Sequence, residues 1–389
     1  MRKHTLSSSA HGLRKVGRNS GQAAALVVVL ASGCAGAALP AEVPAQHAPP
    51  SSAATTSPLG ATRLARLVAG RNALAPMLAE WGLAESGSSC VLLFTDHEEW
   101  LVGCGRDVEG FVATGEEAQG EPVLHMGQSL AVSGQLLPFE QIKLAIVGTV
   151  GTWSRADGEP APVLLLQDWD TLHSHHPGFT NSDVSEWLGV LVHEGFHAHQ
   201  MWHPNVRRVF LELTEQQPTV VGPEDLANFY RANEEFRLAL AREHTLLRSA
   251  TETHHTQAEA RQTLRAWLAL YNARREHFRA DLEGAVHSTR ALDIDAFYTF
   301  VEGAARYVEA RSLTTPPGAL ANDPAFAATR GRAISQLPGL GGIGPKYVYS
   351  IGMYLCLVLD DAAPGWQARV LANPGLLIGY INEVVGAGT

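Results

Sequence analysis

His193, Glu194 and His197, in the run Leu191-Val192-His193-Glu194-Gly195-Phe196-His197, are residues whose types and spacing can do chemistry. On a helix, side chains four apart stack on one face, so two imidazole nitrogens can reach one Zn²⁺. The glutamate beside them is placed to take a proton from water. An HExxH run arises by chance in about one chain of this length in twenty. It therefore needs a helix to carry it and a third ligand to complete it.

Two residues compete for the third position. Glu302 opens Glu302-Gly303-Ala304-Ala305-Arg306-Tyr307-Val308-Glu309, where small residues after the carboxylate allow close packing on the metal helix. Glu309 returns to the same face two turns later and can orient a ligand histidine. His203 lies ten residues after His193, the HExxHxxGxxH spacing, but Gln200 stands where that pattern needs a glycine to reverse the chain. Forcing Gln to positive φ costs about 1 kcal/mol or more, and a helix continuing through Gln200 turns His203 away. Glu302 is the expected ligand.

The elements that position these residues follow from patterning. Val184, Trp187, Leu188, Leu191 and Phe196 form the apolar stripe of a metal helix, with Ser182 or Asp183 as its cap and Pro204 as its limit. A first helix is expected at about 62–81. Short β-like runs follow at 91–94, 100–102, 110–113, 122–126, 130–132, 142–147 and 162–167. The last is expected as an edge strand on which a substrate backbone can align. Beyond the metal helix, long helices at about 223–249 and 256–282, joined by a turn at His254 and His255, read as a solvated hairpin. Helices at about 294–311 and 346–360 follow, the latter apolar nearly all round and so buried. The expected fold is α+β: a mixed or antiparallel β region, then a mainly helical, zincin-like catalytic region with a long helical-hairpin insertion. His173, His175 and His176 read as loop residues and His199 as exposed.

With 389 residues, 46% of them hydrophobic, the chain can bury a sizeable core. A net charge of −10 without a basic stripe argues against nucleic acid as a partner. Residues 1–33 read as an export signal: Arg2, Lys3, Arg14, Lys15 and Arg18 precede the apolar run Ala23 to Leu30. Leu30-Ala31-Ser32-Gly33-Cys34 is close to a lipobox, which would make Cys34 a lipid anchor in the bacterial cell envelope. Ordinary cleavage nearby is the alternative. Residues 34–60 read as a tether, 61–178 as an α/β region and 179–389 as the helical region, with an insertion at about 205–290. Folding the chain about His97 sets Cys90 opposite Cys104, as a disulfide or as two free buried thiols. Cys356 reads as core.

Taken with its helix, His193-Glu194-Gly195-Phe196-His197 and the EGxAxYxE run from Glu302 to Glu309 resemble the gluzincin metallopeptidases, particularly peptidase-MA-like bacterial members. The resemblance covers about a quarter of the chain. It implies zinc, hydrolysis of a peptide or protein substrate, His193, His197 and Glu302 as ligands, and Glu194 as base. Two features depart from the thermolysin-like pattern. Glu302 follows His197 by 105 residues, a gap the hairpin fills, and Arg306 stands where an Asp is usual. Tyr349 or Tyr347 would supply the oxyanion donor unless both are core aromatics. A non-catalytic envelope scaffold with a structural or vestigial zinc is the alternative from another class, against which the intact Glu194 speaks.

Overall fold

In the computed structural model, the structure describes residues 57–83, 90–95, 97–104, 111–126, 148–154, 160–175, 184–214, 221–252, 256–314 and 343–386. The proposed signal, Cys34, the His254/His255 turn, His176 and the caps Ser182 and Asp183 lie outside them, as do the expected strands at 130–132 and 142–147. Among the described residues no helix is long and apolar enough to cross a membrane.

A six-stranded mixed sheet packs beside a larger helical body, so the fold class is α+β. The strands are β1 (Cys90–Phe94), β2 (Glu99–Val102), β3 (Val112–Ala118), β4 (Glu121–Met126), β5 (Gly148–Ser154) and β6 (Pro160–Gln167), in the order β3-β4-β2-β1-β6-β5. All neighbours are antiparallel except β1 and β6, which pair in parallel with Leu92 opposite Leu165. The expected edge strand at 162–167 is therefore interior, flanked by β1 and β5. The edge on that side is β5, which lies outside the expected runs. The reason lies in Val163-Leu164-Leu165-Leu166, a continuous apolar run buried on both faces. Such runs mark inner strands, whereas edge strands facing water alternate.

One face of the sheet, through Val91, Leu93, Leu164 and Leu166, packs on helices α1 (Ala61–Glu80), α2 (Trp169–His175) and α3 (Val184–Gln200). The opposite face buries Leu92, Phe94, Val163 and Leu165. Cys90 and Cys104 are disulfide-bonded with Cα atoms 4.6 Å apart, which pins the end of the β1–β2 hairpin. Cys356 is free and buried.

The helical body continues through α4 (Pro204–Thr214), α5 (Pro223–Ala232), α6 (Glu234–Thr251), α7 (Gln257–Ala285), α8 (Ala291–Thr314), α9 (Tyr347–Ala362), α10 (Gln367–Ala372) and α11 (Leu376–Gly386). Pro204 does end the metal helix's run, and it then opens α4, where its fixed φ suits a first turn. The single helix expected at 223–249 is two. Asn233 leaves helical geometry (φ −118°, ψ 107°) and its side chain accepts from the Phe236 amide at 2.9 Å, capping α6.

The hairpin α6–α7 is less solvated than its charges suggested. Phe236, Leu240, Trp267 and Tyr271 are buried in the main helical core, against α9. Part of its charge is internal. Arg274 is buried between Glu243 and Asp295, Trp267 Nε1 donates to Glu243 at 3.1 Å, and the Tyr347 hydroxyl donates to Asp295. Pairing and hydrogen bonds offset part of the cost of burying such charges, burial still raising the Glu243 pKa, and this network ties α6, α7, α8 and α9 together.

Candidate metal centre

Helix α3 carries His193, Glu194 and His197, and α8 lies across it carrying Glu302 and Glu309. All five side chains are buried. His193 Nε2 and His197 Nε2 are 3.1 Å apart, and Glu302 Oε2 lies 3.5 Å from the first and 3.4 Å from the second. Ligands at about 2.0–2.1 Å from a tetrahedral ion sit about 3.3–3.4 Å from one another. The three atoms thus already stand at the separations that one ion requires, and this buried group can hold a metal.

The other ring nitrogens show which way the imidazoles face. His193 Nδ1 donates to Glu309 Oε2 (3.2 Å), since an ionised carboxylate only accepts. His197 Nδ1 donates to Gln200 Oε1 (3.0 Å), one turn on in the same helix. With both Nδ1 atoms protonated, both Nε2 atoms and the Glu302 carboxylate face one point, an arrangement that either a proton or a metal ion reconciles. The titration of the groups shows the same field. Burial alone would lower the His193 pKa, but hydrogen bonds to Glu302 and Glu309 and the nearby Glu194 hold it at about 10. Burial would raise Glu302, yet His197 and His193 keep it well below the usual carboxylate range. Glu309 is lowered to about 2, because Arg306 and His193 outweigh its burial.

Arg306, unexpected at its position, donates from one nitrogen to both Glu309 oxygens. The chain Arg306–Glu309–His193 therefore fixes one ligand from behind, and Gln200 fixes the other. Gln200, the residue that argues against His203 as a ligand, is thus also a partner of His197. Its spacing three residues after His197 was the available signal. His203 follows the end of α3 and takes no part in the ligand cluster.

The two tyrosines part ways. Tyr347 is buried with its hydroxyl committed to Asp295, so it is a structural residue. Tyr349 stacks on the His193 ring (centroids 5.9 Å apart, planes at 15°), and its hydroxyl is hydrogen-bonded to Glu302. Burial and the Glu302 charge raise its pKa well above 10, so it remains a donor. Tyr349 reaches Glu302 because α8 and α9 touch at Gly303 and Gly352. A Cβ on Gly303 would overlap Gly352, and one on Gly352 would overlap the Thr299 carbonyl. Gly303 thus serves the α8–α9 contact rather than the expected approach to the metal helix. At the latter crossing the small residue is Gly189, against Glu309.

Gly352→Ala sets two effects against each other. Helix propensity favours Ala by about 1 kcal/mol, whereas overpacking costs about 3 kcal/mol where backbone meets backbone. The expected outcome is a net loss of about 2 kcal/mol in urea unfolding, with Tyr349 of α9 drawn away from Glu302 of α8. Unchanged stability would show that the α8–α9 contact can open to admit a methyl group.

Three histidines depart from expectation. His199 is buried, because α3 is enclosed by α1, α8 and the sheet, and burial together with Arg71 lowers its pKa to about 4. His173 is on α2, its ring 5.0 Å from Trp169, and His175 ends that helix. A cavity of about 480 Å³ opens beside the cluster, bordered by His193, Glu194, Arg306, Glu309 and Tyr349. Comparison of the chain with protein-family models, with curated proteins and with solved structures finds no match.

Proposed function

We propose that the protein is an exported zinc-dependent metallopeptidase of gluzincin type, with a zincin-like helical region built on α3 and α8. One observation carries the reading: two inward-facing imidazole nitrogens and a carboxylate lie at tetrahedral ligand separations, with a further glutamate, Glu194, on the wall of the adjoining cavity. Two imidazoles and a carboxylate suit zinc, and three protein ligands leave one position open.

When bound, the zinc ion supplies Lewis acidity at that open position. The chain's own residues do the rest. Glu194, adjacent in sequence to His193, takes a proton from the attacking water and passes it to the leaving amine. Tyr349, kept protonated by its surroundings, would turn its O–H from Glu302, once that carboxylate is engaged by the ion, to the oxyanion that develops on the scissile carbonyl. Glu309 and Gln200 hold the ligand imidazoles in the required tautomer. Export and anchoring at Cys34 belong to the same proposal and rest on the leader sequence alone.

The test is cleavage of an unbiased peptide mixture. Zinc-loaded protein should cut it, chelator-treated protein should not, and restored zinc should restore cutting. Metal retained at one ion per chain without any cleavage would favour the non-catalytic scaffold instead.

A further inference from the structure

We propose that the cavity beside the metal centre binds substrates through a carboxylate, with Lys346 as the principal anchor and Arg231 and Arg306 supporting it. The proposal rests on the peptidase reading above and names that site's substrate class.

The chain carries a net charge of −10, so an anion approaching most of its surface is repelled. The cavity is an exception. Three cations from three elements border it: Arg231 on α5, Arg306 on α8 and Lys346 at the head of α9. Against them stand two carboxylates, both on the cavity wall. Glu309 is bound to His193 and Arg306, and Glu194 lies beside the metal ligands. The wall therefore sums to positive before any divalent ion is counted.

The three cations differ in availability. Arg306 is held by Glu309 and supports the site from the inner end. Arg231 pairs with Glu224 at 2.7 Å, but both partners are more than two-fifths exposed, and such pairs are weak and exchangeable. Lys346 is exposed, and its ammonium stands 5.7 Å over the Tyr349 ring, the same ring that stacks on His193. It is the only lysine among the described residues. A carboxylate meeting Lys346 would sit one aromatic ring away from the ligand cluster. A volume of about 480 Å³ suits a short peptide segment rather than a folded surface.

A carboxylate can come from the C-terminus of a peptide or from an Asp or Glu side chain. The experiment separates these sources. Zinc-loaded full-chain Glu194→Gln protein, which should hold peptides without turning them over, is titrated calorimetrically with four N-acetylated hexapeptides. The first pair is a neutral peptide with a free C-terminal carboxylate and its amide; the second is that amide carrying one Asp or, at the same position, Asn. The carboxylate member of at least one pair should bind about tenfold tighter than its uncharged twin. Lys346→Met should shrink that preference towards unity, and Arg231→Met should shrink it less. Discrimination in the first pair assigns the C-terminus, and in the second an acidic side chain.

Equal affinities within both pairs, no measurable binding of any peptide, or a preference untouched by both substitutions would overturn the proposal. Failure of the peptidase reading looks different: wild-type zinc protein would leave all four peptides intact while the pairs still differed in affinity.

Discussion

Glu302→Ala should emerge from purification without its metal. Glu302 is the only ligand contributed by α8, and its Oε2 lies within 3.5 Å of both ligand nitrogens. Removing it leaves two imidazoles from one helix and an enlarged opening. Loss of a partner behind a ligand costs about 10–100-fold in metal affinity, so loss of the ligand itself should exceed about 100-fold. Elemental analysis after gel filtration, with chelator competition for the affinity, reads this directly, and circular dichroism controls for folding. His203→Ala should keep full occupancy. One zinc per chain retained in Glu302→Ala would sink the ligand assignment.

The second large effect belongs to Glu194→Gln. The substitution preserves shape and hydrogen-bonding length and removes only basicity, so metal content and peptide affinity should stay as they are. Turnover should fall by about 10²–10⁴-fold, the contribution typical of a positioned general base. The split matters more than the loss: kcat should fall with KM nearly constant, because the base acts in the transition state. Undiminished turnover would refute the role, and a parallel loss of metal would show that Glu194 is structural.

What could be read from the chain divides by the range of the physics involved. His193 and His197 share a face because the helix repeat places them there, and Gln200 carries the helix past the point at which His203 could turn back. Glu302 and Glu309 share a face of α8 for the same reason, so the orienting role expected of Glu309 meets its partner at 3.2 Å. The buried α9 was legible from its unbroken apolarity. Properties set by distant partners were not legible. The interior place of β6 depends on β5, and the burial of His199 depends on α1 and α8. Nothing local told a solvated α6–α7 hairpin from one that buries Arg274 between carboxylates, because the cancelling charge on Asp295 lies 21 residues away. Gln200 both carries the helix onward and accepts from His197, and the helix pattern alone does not reveal the second role.

The ligand set joins two helices, with Glu302 following His197 by 105 residues of chain, and the whole hairpin lies in that span. An ion held by His193, His197 and Glu302 therefore acts as a removable cross-link, restricting the unfolded chain much as a disulfide over a long loop does. Opening of α8 away from α3 must first release the ion, so backbone bonds far from the cavity are shielded from proteases to the degree that the ion is present. Resistance to digestion thus becomes a gauge of how full the site is. Molecules starved of metal would be the first to be cleared from the compartment they work in.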